Sequence, residues 1–321
     1  MWAGTLVQSR LEEQKCFLLV RNGKIGICSI VTALTDIING ILWEIYSMFI
    51  AKRLKSLENL RTVDVRGTKT VPVRIRASDL KNYMVKAQTH PTSKGVIKEW
   101  LCGHFLKIWN LPVPDFAVID VQKHHVPPLF HKDYQPFHFD LPAFGSLMDT
   151  NALDVNDVLD SPEAYQKGLS NSDGELLLIA LFDLWTSNVD RHEDNYNMIY
   201  SGDAIPKFRP IDHEMALDFL DFGHPPELQT ENESLIDSVL FRTYVSAKRR
   251  KKVISDTEHF DQFVDKTTAI REHLPRIIST MPAEWQTPIF NLENRLLETI
   301  FAPDWLDKTW RTYLSYLNTS K

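Results

Sequence analysis

Between Asp173 and Trp185 the chain carries almost no polar face. Leu177, Ile179, Leu181, Phe182, Leu184 and Trp185 predict a helix buried all round, with Asp173 placed to cap it. The run stops at Ser187-Asn188 and gives way to a dense polar loop, Asp190-Arg191-His192-Glu193-Asp194-Asn195. Tyr196 to Tyr200 then reads as a strand, Ser201-Gly202-Asp203 as a turn with Pro206 just beyond, and Lys207 to Ile211 as the return strand, ending on Asp212.

Upstream, the period changes from helical to alternating. Val63 and Val65, then Val71, Val73, Ile75 and Ala77, then Tyr83 and Val85 predict three antiparallel strands between Thr62 and Lys86. The first two are joined by Arg66-Gly67-Thr68-Lys69-Thr70, which reads either as a plain hairpin turn or as a phosphate-contacting loop through Gly67 and Thr68. Gly95 to Asn110 is helical, with Val96, Trp100, Leu101, Phe105 and Ile108 on one stripe, and Leu111-Pro112-Val113-Pro114 ends it. Lys98 on this helix is one of many scattered charges. Phe116 to Val121 is a buried strand. Residues 122–172 have little periodicity, and Lys123-His124-His125, His131 and His138 match no helix or ribbon pattern for a metal.

Residues 227–254 read as helical and end in Lys248-Arg249-Arg250-Lys251-Lys252, a solvated face or a contact for an acidic partner or lipid headgroup. Helical periodicity continues over 256–320, broken by Pro275, Pro282, Pro288 and Pro303. At the other end, Ile25 to Phe49 is apolar but interrupted by Asp36, Asn39, Gly40 and Glu44. Its charge-free run, Ile25 to Thr35, falls well short of the roughly 20 residues of a membrane span. Arg10, Glu12 and Glu13 do not suit a signal peptide. Residues 1–57 are therefore expected to be a helical N-terminal extension off the membrane, and Met48 is a candidate start for the rest.

Composition adds exclusions. With 43% hydrophobic and 24% charged residues the chain has ample core, and its net charge of −6 gives no nucleic-acid footprint. Cys16, Cys28 and Cys102 form neither a disulfide framework nor a zinc pattern, which suits a reducing, cytoplasmic setting.

The candidate chemistry lies at the hairpin. If its strands pair, their outer ends meet, so Asn195 and Asp212 converge with Asp190 just before them. A carboxylate to orient a hydroxyl and two hard oxygen ligands for Mg2+ is the set that phosphoryl transfer needs. Asp183 to Asn188 has the same spacing as Asp190 to Asn195 but sits in the apolar helical run, which makes it a decoy.

Asn-Val-Asp-Arg-His-Glu-Asp-Asn followed by Ile-Asp-His-Glu resembles the catalytic and metal-binding segments of HipA-like kinases, and is similar to the Asp-Arg-His-x-x-Asn loop of phosphoinositide kinases. The resemblance implies an α+β, two-lobed protein-kinase-like fold, with a small lobe of antiparallel strands over 58–122 and a mainly helical large lobe over 123–321. It implies Asp190 as catalytic base and Asn195 and Asp212 as magnesium ligands. Lys86 would hold the α- and β-phosphates of ATP, and Glu99 would pair with Lys86. Phe116 to Val121 would lead to the adenine-holding hinge. Leu141-Pro142-Ala143-Phe144-Gly145-Ser146 resembles a segment of these kinases between hinge and catalytic loop. Arg191 and His192 are expected to hold the loop by hydrogen bonds. The implied reaction is ATP- and Mg2+-dependent transfer to a protein Ser/Thr hydroxyl, with an antitoxin-like regulator as a further partner. A lipid or small-molecule acceptor is the second choice. The rivals are a metal-dependent phosphohydrolase using His192, Asp194, Asp212 and His213, and a catalytically dead kinase fold acting as a binding module.

Overall fold

Two of the strands that the alternating pattern predicts, at Val73–Ala77 and Tyr83–Val85, take part in a five-stranded barrel. The computed structural model describes residues 52–60, 72–88, 94–126, 136–159, 172–201, 207–286 and 289–320, all within one unit, 51–321. In chain order these hold β1 (Lys52–Asn59), β2 (Val73–Ala77), β3 (Asn82–Lys86), α1 (Gly95–Ile108), β4 (Phe116–Asp120), β5 (Ala143–Leu147), β6 (Leu153–Asp154), α2 (Val155–Leu159) and α3 (Asp173–Thr186). The hairpin β7 (Met198–Ser201) and β8 (Lys207–Pro210) follows. The helices α4 (Phe219–Phe222), α5 (Val239–Tyr244), α6 (Ala247–Ser255), α7 (Glu258–Ser279), α8 (Ala283–Gln286), α9 (Leu292–Glu298) and α10 (Pro303–Thr319) complete the chain. The fold is a mixed α/β one, with strands gathered early and helices late.

The barrel order is β1-β2-β3-β5-β4, closed by a parallel pairing of β1 with β4. Inward residues Val73, Ile75, Ala77, Tyr83, Val85, Ala117, Ile119 and Ala143 fill it. The predicted strand at Val63 and Val65, the phosphate-loop candidates Gly67 and Thr68, His131, and the predicted helices over Ile25 to Phe49 lie outside the described residues.

Two boundaries differ from expectation. Lys52–Leu57, expected in the N-terminal extension, is the body of β1; its alternation is hidden because only Ser56 is buried among exposed Lys52, Arg53, Lys55, Leu57 and Glu58. The segment 141–146, expected beyond the hinge, instead supplies β5, which pairs with both β3 and β4. The chain therefore reaches the cleft described below from β5 through Met148 and Asp149 rather than directly from β4.

Tryptophans tie the helices together. Trp185 of α3 stacks on Trp109 at 5.5 Å, and its indole N–H donates to the Ile300 carbonyl at 2.7 Å. Trp305 donates to the Trp185 carbonyl at 2.9 Å, and Trp100 to that of Ile277 at 3.1 Å. The indoles of Trp185, Trp305 and Trp100 thus bury a large apolar surface while their one donor is satisfied, whereas that of Trp109 is held by packing alone. α7 runs through Pro275 because Phe263, Thr267, Ile270, Leu274 and Ile277 bury one continuous stripe, outweighing the lost hydrogen bond. The helix expected over 227–254 is divided instead: Ser238 and Ser246 accept from the amides of Phe241 and Arg249, each at 3.2 Å, and start α5 and α6 anew.

Where β5 crosses β4, only glycine fits: a Cβ on Gly145 would stand 2.5 Å from Ile119 Cγ1. Gly145→Ala is expected to destabilise the fold by about 1–3 kcal/mol through overpacking, read as a lower urea midpoint with an unchanged denaturant slope. An unchanged midpoint would show that the barrel relaxes freely there.

Candidate active site

The buried helix α3 ends as its sequence predicts. Ser187 takes a left-handed conformation, φ 56°, and Asn188 N–H donates to the Asp183 carbonyl at 2.8 Å. The decoy pair closes this end: Asn188 Nδ2 donates to Asp183 Oδ1 at 2.9 Å. Arg191, fully buried, forms an ion pair with the same Asp183 carboxylate. Arg191 Nη2 also donates to the Ile211 carbonyl at 2.9 Å and meets His213 Nε2 at 3.4 Å. Burial pushes the Asp183 carboxyl up, and the Arg191 guanidinium opposes that shift. Arg191 therefore pins the polar loop to the helix on one side and to the end of the hairpin on the other.

The loop folds on itself through reciprocal backbone bonds between His192 and Asn195, 3.0 and 3.1 Å. β7 and β8 pair in register, Met198 with Pro210 and Ser201 with Lys207, so their outer ends meet as the pattern requires. Asn197 sits at φ 44° just before β7, a conformation that asparagine tolerates better than most residues. Its Nδ2 donates to the carbonyl and to Oδ2 of Asp190, both at 3.0 Å. Asp212 leaves β8 at φ 58°.

These ends face a cleft of about 630 Å³ whose walls include Met84, Phe116, Phe144, Met148 and Ile199. Lys86, Glu99, Asn195 and Asp212, far apart in sequence, all line it. Asp190 does not line it; Asn197 does, and carries the hydrogen bond back to Asp190.

Within the cleft, Lys86 Nζ lies 2.8 Å from Glu99 Oε1, 2.6 Å from Asp212 Oδ1 and 3.8 Å from Glu214 Oε1. Burial by itself would lower the Lys86 pKa, but the charges of Glu99, Asp212 and Glu214 outweigh it and hold the ammonium above its ordinary value. Glu99 is the mirror case. Burial would raise its carboxyl, yet Lys86 and a hydrogen bond from His213 hold it well below the usual carboxylate range. His213 Nδ1 meets Glu99 Oε2 at 3.3 Å. Arg191 can only donate, so His213 Nε2 accepts from it and Nδ1 carries the proton toward Glu99.

Two residues of this arrangement, Asn197 and Lys98, escape a reading by motif, and a third, His213, is read from the sequence only as a metal ligand of the phosphohydrolase alternative. Asn197, two positions beyond the Asp-x-x-x-x-Asn pattern, holds Asp190. His213 joins the loop to Glu99. Lys98, read as an ordinary charge, is 2% exposed. The signal for Lys98 was there: α1 is buried from Val96 to Leu106, so a lysine on it has no polar face to occupy and needs a buried partner.

The charge pattern has a pH signature. Stabilisation by ionised Glu99 is fully present above its unfolded pKa of about 4.3 and is lost as pH falls from there through the depressed folded value. Stabilisation by charged Lys86 is present below its unfolded pKa of about 10.4 and is lost as pH rises through the elevated folded value. The stability difference between the parent and Glu99→Gln is thus expected to be flat from about pH 5 to 9 and to shrink below about pH 4, read from urea unfolding at each pH. A difference that changes near pH 6 to 7 would contradict the assigned charge states.

Comparison with curated proteins gives no match. The crystal structure of the Helicobacter pylori proinflammatory kinase CtkA aligns over 84% of this chain and 100% of its own, with 11% identity and a TM-score of 0.40. The Shewanella oneidensis MR-1 toxin–antitoxin complex of HipA, HipB and operator DNA contains a chain aligning over 82% of this one and 66% of its own, with 11% identity and a TM-score of 0.35. The profile of the HipA-like kinases matches residues 62–309, most of the chain including every cleft residue named above. On that match the chain belongs to the HipA-like kinase family.

Proposed function

We propose that this protein transfers the γ-phosphoryl group of ATP to a hydroxyl acceptor, in the first instance a serine or threonine of a protein. The observation that carries the reading is Lys86, which touches Glu99 on α1 and Asp212 at the end of β8 across one cleft of about 630 Å³. Such a volume suits a nucleotide-sized ligand. The barrel with α1 then acts as the small lobe and the remainder as the large lobe of a kinase-like layout.

The residues divide the work. Lys86 offers a fixed ammonium to the phosphates, and Glu99 holds it in place. Asp190 accepts the proton of the acceptor hydroxyl as its oxygen attacks the γ-phosphorus and the bond to the β-phosphate oxygen breaks, leaving ADP. Asn197 occupies Asp190 Oδ2, which leaves Oδ1 to receive that proton. The apolar walls exclude water, the competing acceptor. Two carboxylates, Glu99 and Asp212, share the one ammonium of Lys86, so the mouth of the cleft is short of positive charge and fits a divalent cation. Asp212 and Asn195 would hold that Mg2+, and it would neutralise charge on the phosphates. Among the described residues no cluster of three or more His, Cys, Asp or Glu side chains is arranged to hold a metal. Magnesium keeps several waters and needs few protein ligands, whereas the phosphohydrolase alternative requires His213, which is committed to Arg191 and Glu99.

For partners, membership of the HipA-like family favours an antitoxin-like regulator. Among the described residues no helix is long and apolar enough to cross a membrane. A cytoplasmic site of action is part of this proposal.

Lys86→Met keeps the apolar stem and removes the charge. It is expected to fold and to lose phosphoryl transfer by about 10²- to 10³-fold or more. Asp190→Asn is expected to bind ATP nearly normally and lose turnover to a similar degree. Undiminished transfer by a folded Lys86→Met would overturn the assignment of the cleft.

The metal roles are tested separately. Asp212→Ala is expected to weaken nucleotide binding more with magnesium than without it, and Asn195→Ala to do the same more mildly, because it removes a neutral ligand. Thermal stabilisation by ATP with and without Mg2+ reads this. Equal losses in both conditions would make the two residues structural.

A further inference from the structure

Lys98 and Glu99 are consecutive on α1, and they hold different parts of the molecule. Glu99 reaches Lys86 and His213. Lys98 points about 100° away around the helix and meets Asp221 Oδ2 at 2.5 Å and the Glu214 carbonyl at 2.8 Å. Both partners belong to the segment that follows Asp212. That segment is held at several further points. Lys94, at the start of α1, donates to the Leu220 carbonyl. Arg295 of α9 donates to the Phe219 carbonyl at 2.6 Å, and Leu217 N–H to the Thr186 carbonyl at 2.8 Å. Contact with α1 is close: a Cβ on Gly95 would meet the Glu214 side chain at 3.4 Å.

Lys98 does not line the cleft. A nearly fully buried ammonium is expensive unless paired, and an apolar pair of similar volume is often as stable or more so. What the ion pair adds is geometry. A rotation or slide of α1 that parts Glu99 from Lys86 would also part Lys98 from Asp221.

We propose that Lys98 is a positioning residue that latches the segment after Asp212 onto the Glu99-bearing helix, so that Lys86, Glu99 and Asp212 assemble as one unit. The proposal rests on the phosphotransfer reading given above and specifies how its site is kept in register. Lys98 acts through Glu99 and Asp212. It leaves the walls of the nucleotide cleft untouched, so its removal displaces the phosphate-binding groups without disturbing the rest of the pocket.

The test uses the full chain with Lys98→Met, Asp221→Asn and the double variant. Turnover and KM for ATP are measured with saturating Mg2+, together with the unfolding temperature and hydrogen exchange over 212–222. Each single variant is expected to lower kcat by about 10- to 100-fold, the effect of a misplacement of about 1 Å, and to raise KM for ATP by a smaller factor, because the phosphate-binding groups shift while the rest of the pocket stays. The double variant is expected to be no worse than the poorer single one, because both break the same contact. Exchange over 212–222 is expected to quicken while that of α3 stays as it was. Full kcat in a folded Lys98→Met, or additive losses in the double variant, overturns the proposal. If Lys98→Met fails to fold, Asp221→Asn carries the same measurements from the more exposed end of the pair. If the parent transfers no phosphoryl group, the kinase reading fails on its own and exchange decides the latch: unchanged protection of 212–222 in the variants overturns it.

Discussion

One buried ammonium organises the centre of this molecule. Lys86 stands at the end of β3, nearly without solvent, and remains charged because Glu99 and Asp212 lie within 2.8 Å of it. Each partner arrives from a different level of the fold. Glu99 needs α1 packed on the barrel, Asp212 needs the β7–β8 hairpin closed, and Lys86 needs β3 in register with β2 and β5. Removing one partner of such a buried pair typically costs about 3–5 kcal/mol, so the cluster penalises any packing that leaves one of the three elements displaced. The site is in this sense a constraint on the fold as well as a product of it.

Much of this was legible in the chain, for physical reasons that differ by region. α3 could be read because a helix buried all round shows no polar face, and the hairpin because turn residues separate two short apolar runs. Lys86 and Glu99 could be named only through the resemblance to HipA-like kinases, and the structure brings the two side chains to 2.8 Å. β1 could not be read. A strand paired on both edges inside a closed barrel need bury few side chains, and Lys52–Asn59 buries only Ser56, so its backbone bonds leave no trace in the polarity pattern. β5 was misplaced because its neighbours come from β3 and β4, a non-local pairing that no local period encodes. Pro275 misled for the opposite reason: local chemistry predicts a break, and the buried stripe of α7 overrides it.

The two Asp-x-x-x-x-Asn spacings in adjacent segments show why spacing alone is poor evidence of chemistry. In Asp183 to Asn188 the two side chains bond each other and the aspartate also pairs with Arg191, with no exposed surface at the aspartate. In Asp190 to Asn195 the aspartate keeps one oxygen outside its contact with Asn197, and the asparagine faces the cleft. The first pair therefore closes the end of a helix, while the second is left with acceptors to offer. Asp183 also keeps an oxygen without a partner among the described residues, but it is fully buried, so the difference lies in which pair the fold turns toward the cleft.

The same accounting explains why the centre is polar at all. Asp183, Arg191, His213, Glu99, Lys86 and Asp212 form a continuous chain of contacts through the interior, from α3 to the mouth of the cleft. An apolar core at these positions would bind the same elements with less desolvation, but apolar contacts tolerate small slides and rotations. A chain of directional bonds does not. Arg191 is central to this: it has donors alone, so it fixes the proton of His213 on Nδ1, and that proton in turn fixes one oxygen of Glu99 and leaves the other for Lys86. Geometry is passed from the helix end to the ammonium through proton positions. A site whose chemistry depends on ångström-level placement of a cation and two carboxylates is one for which that rigidity outweighs the desolvation it requires.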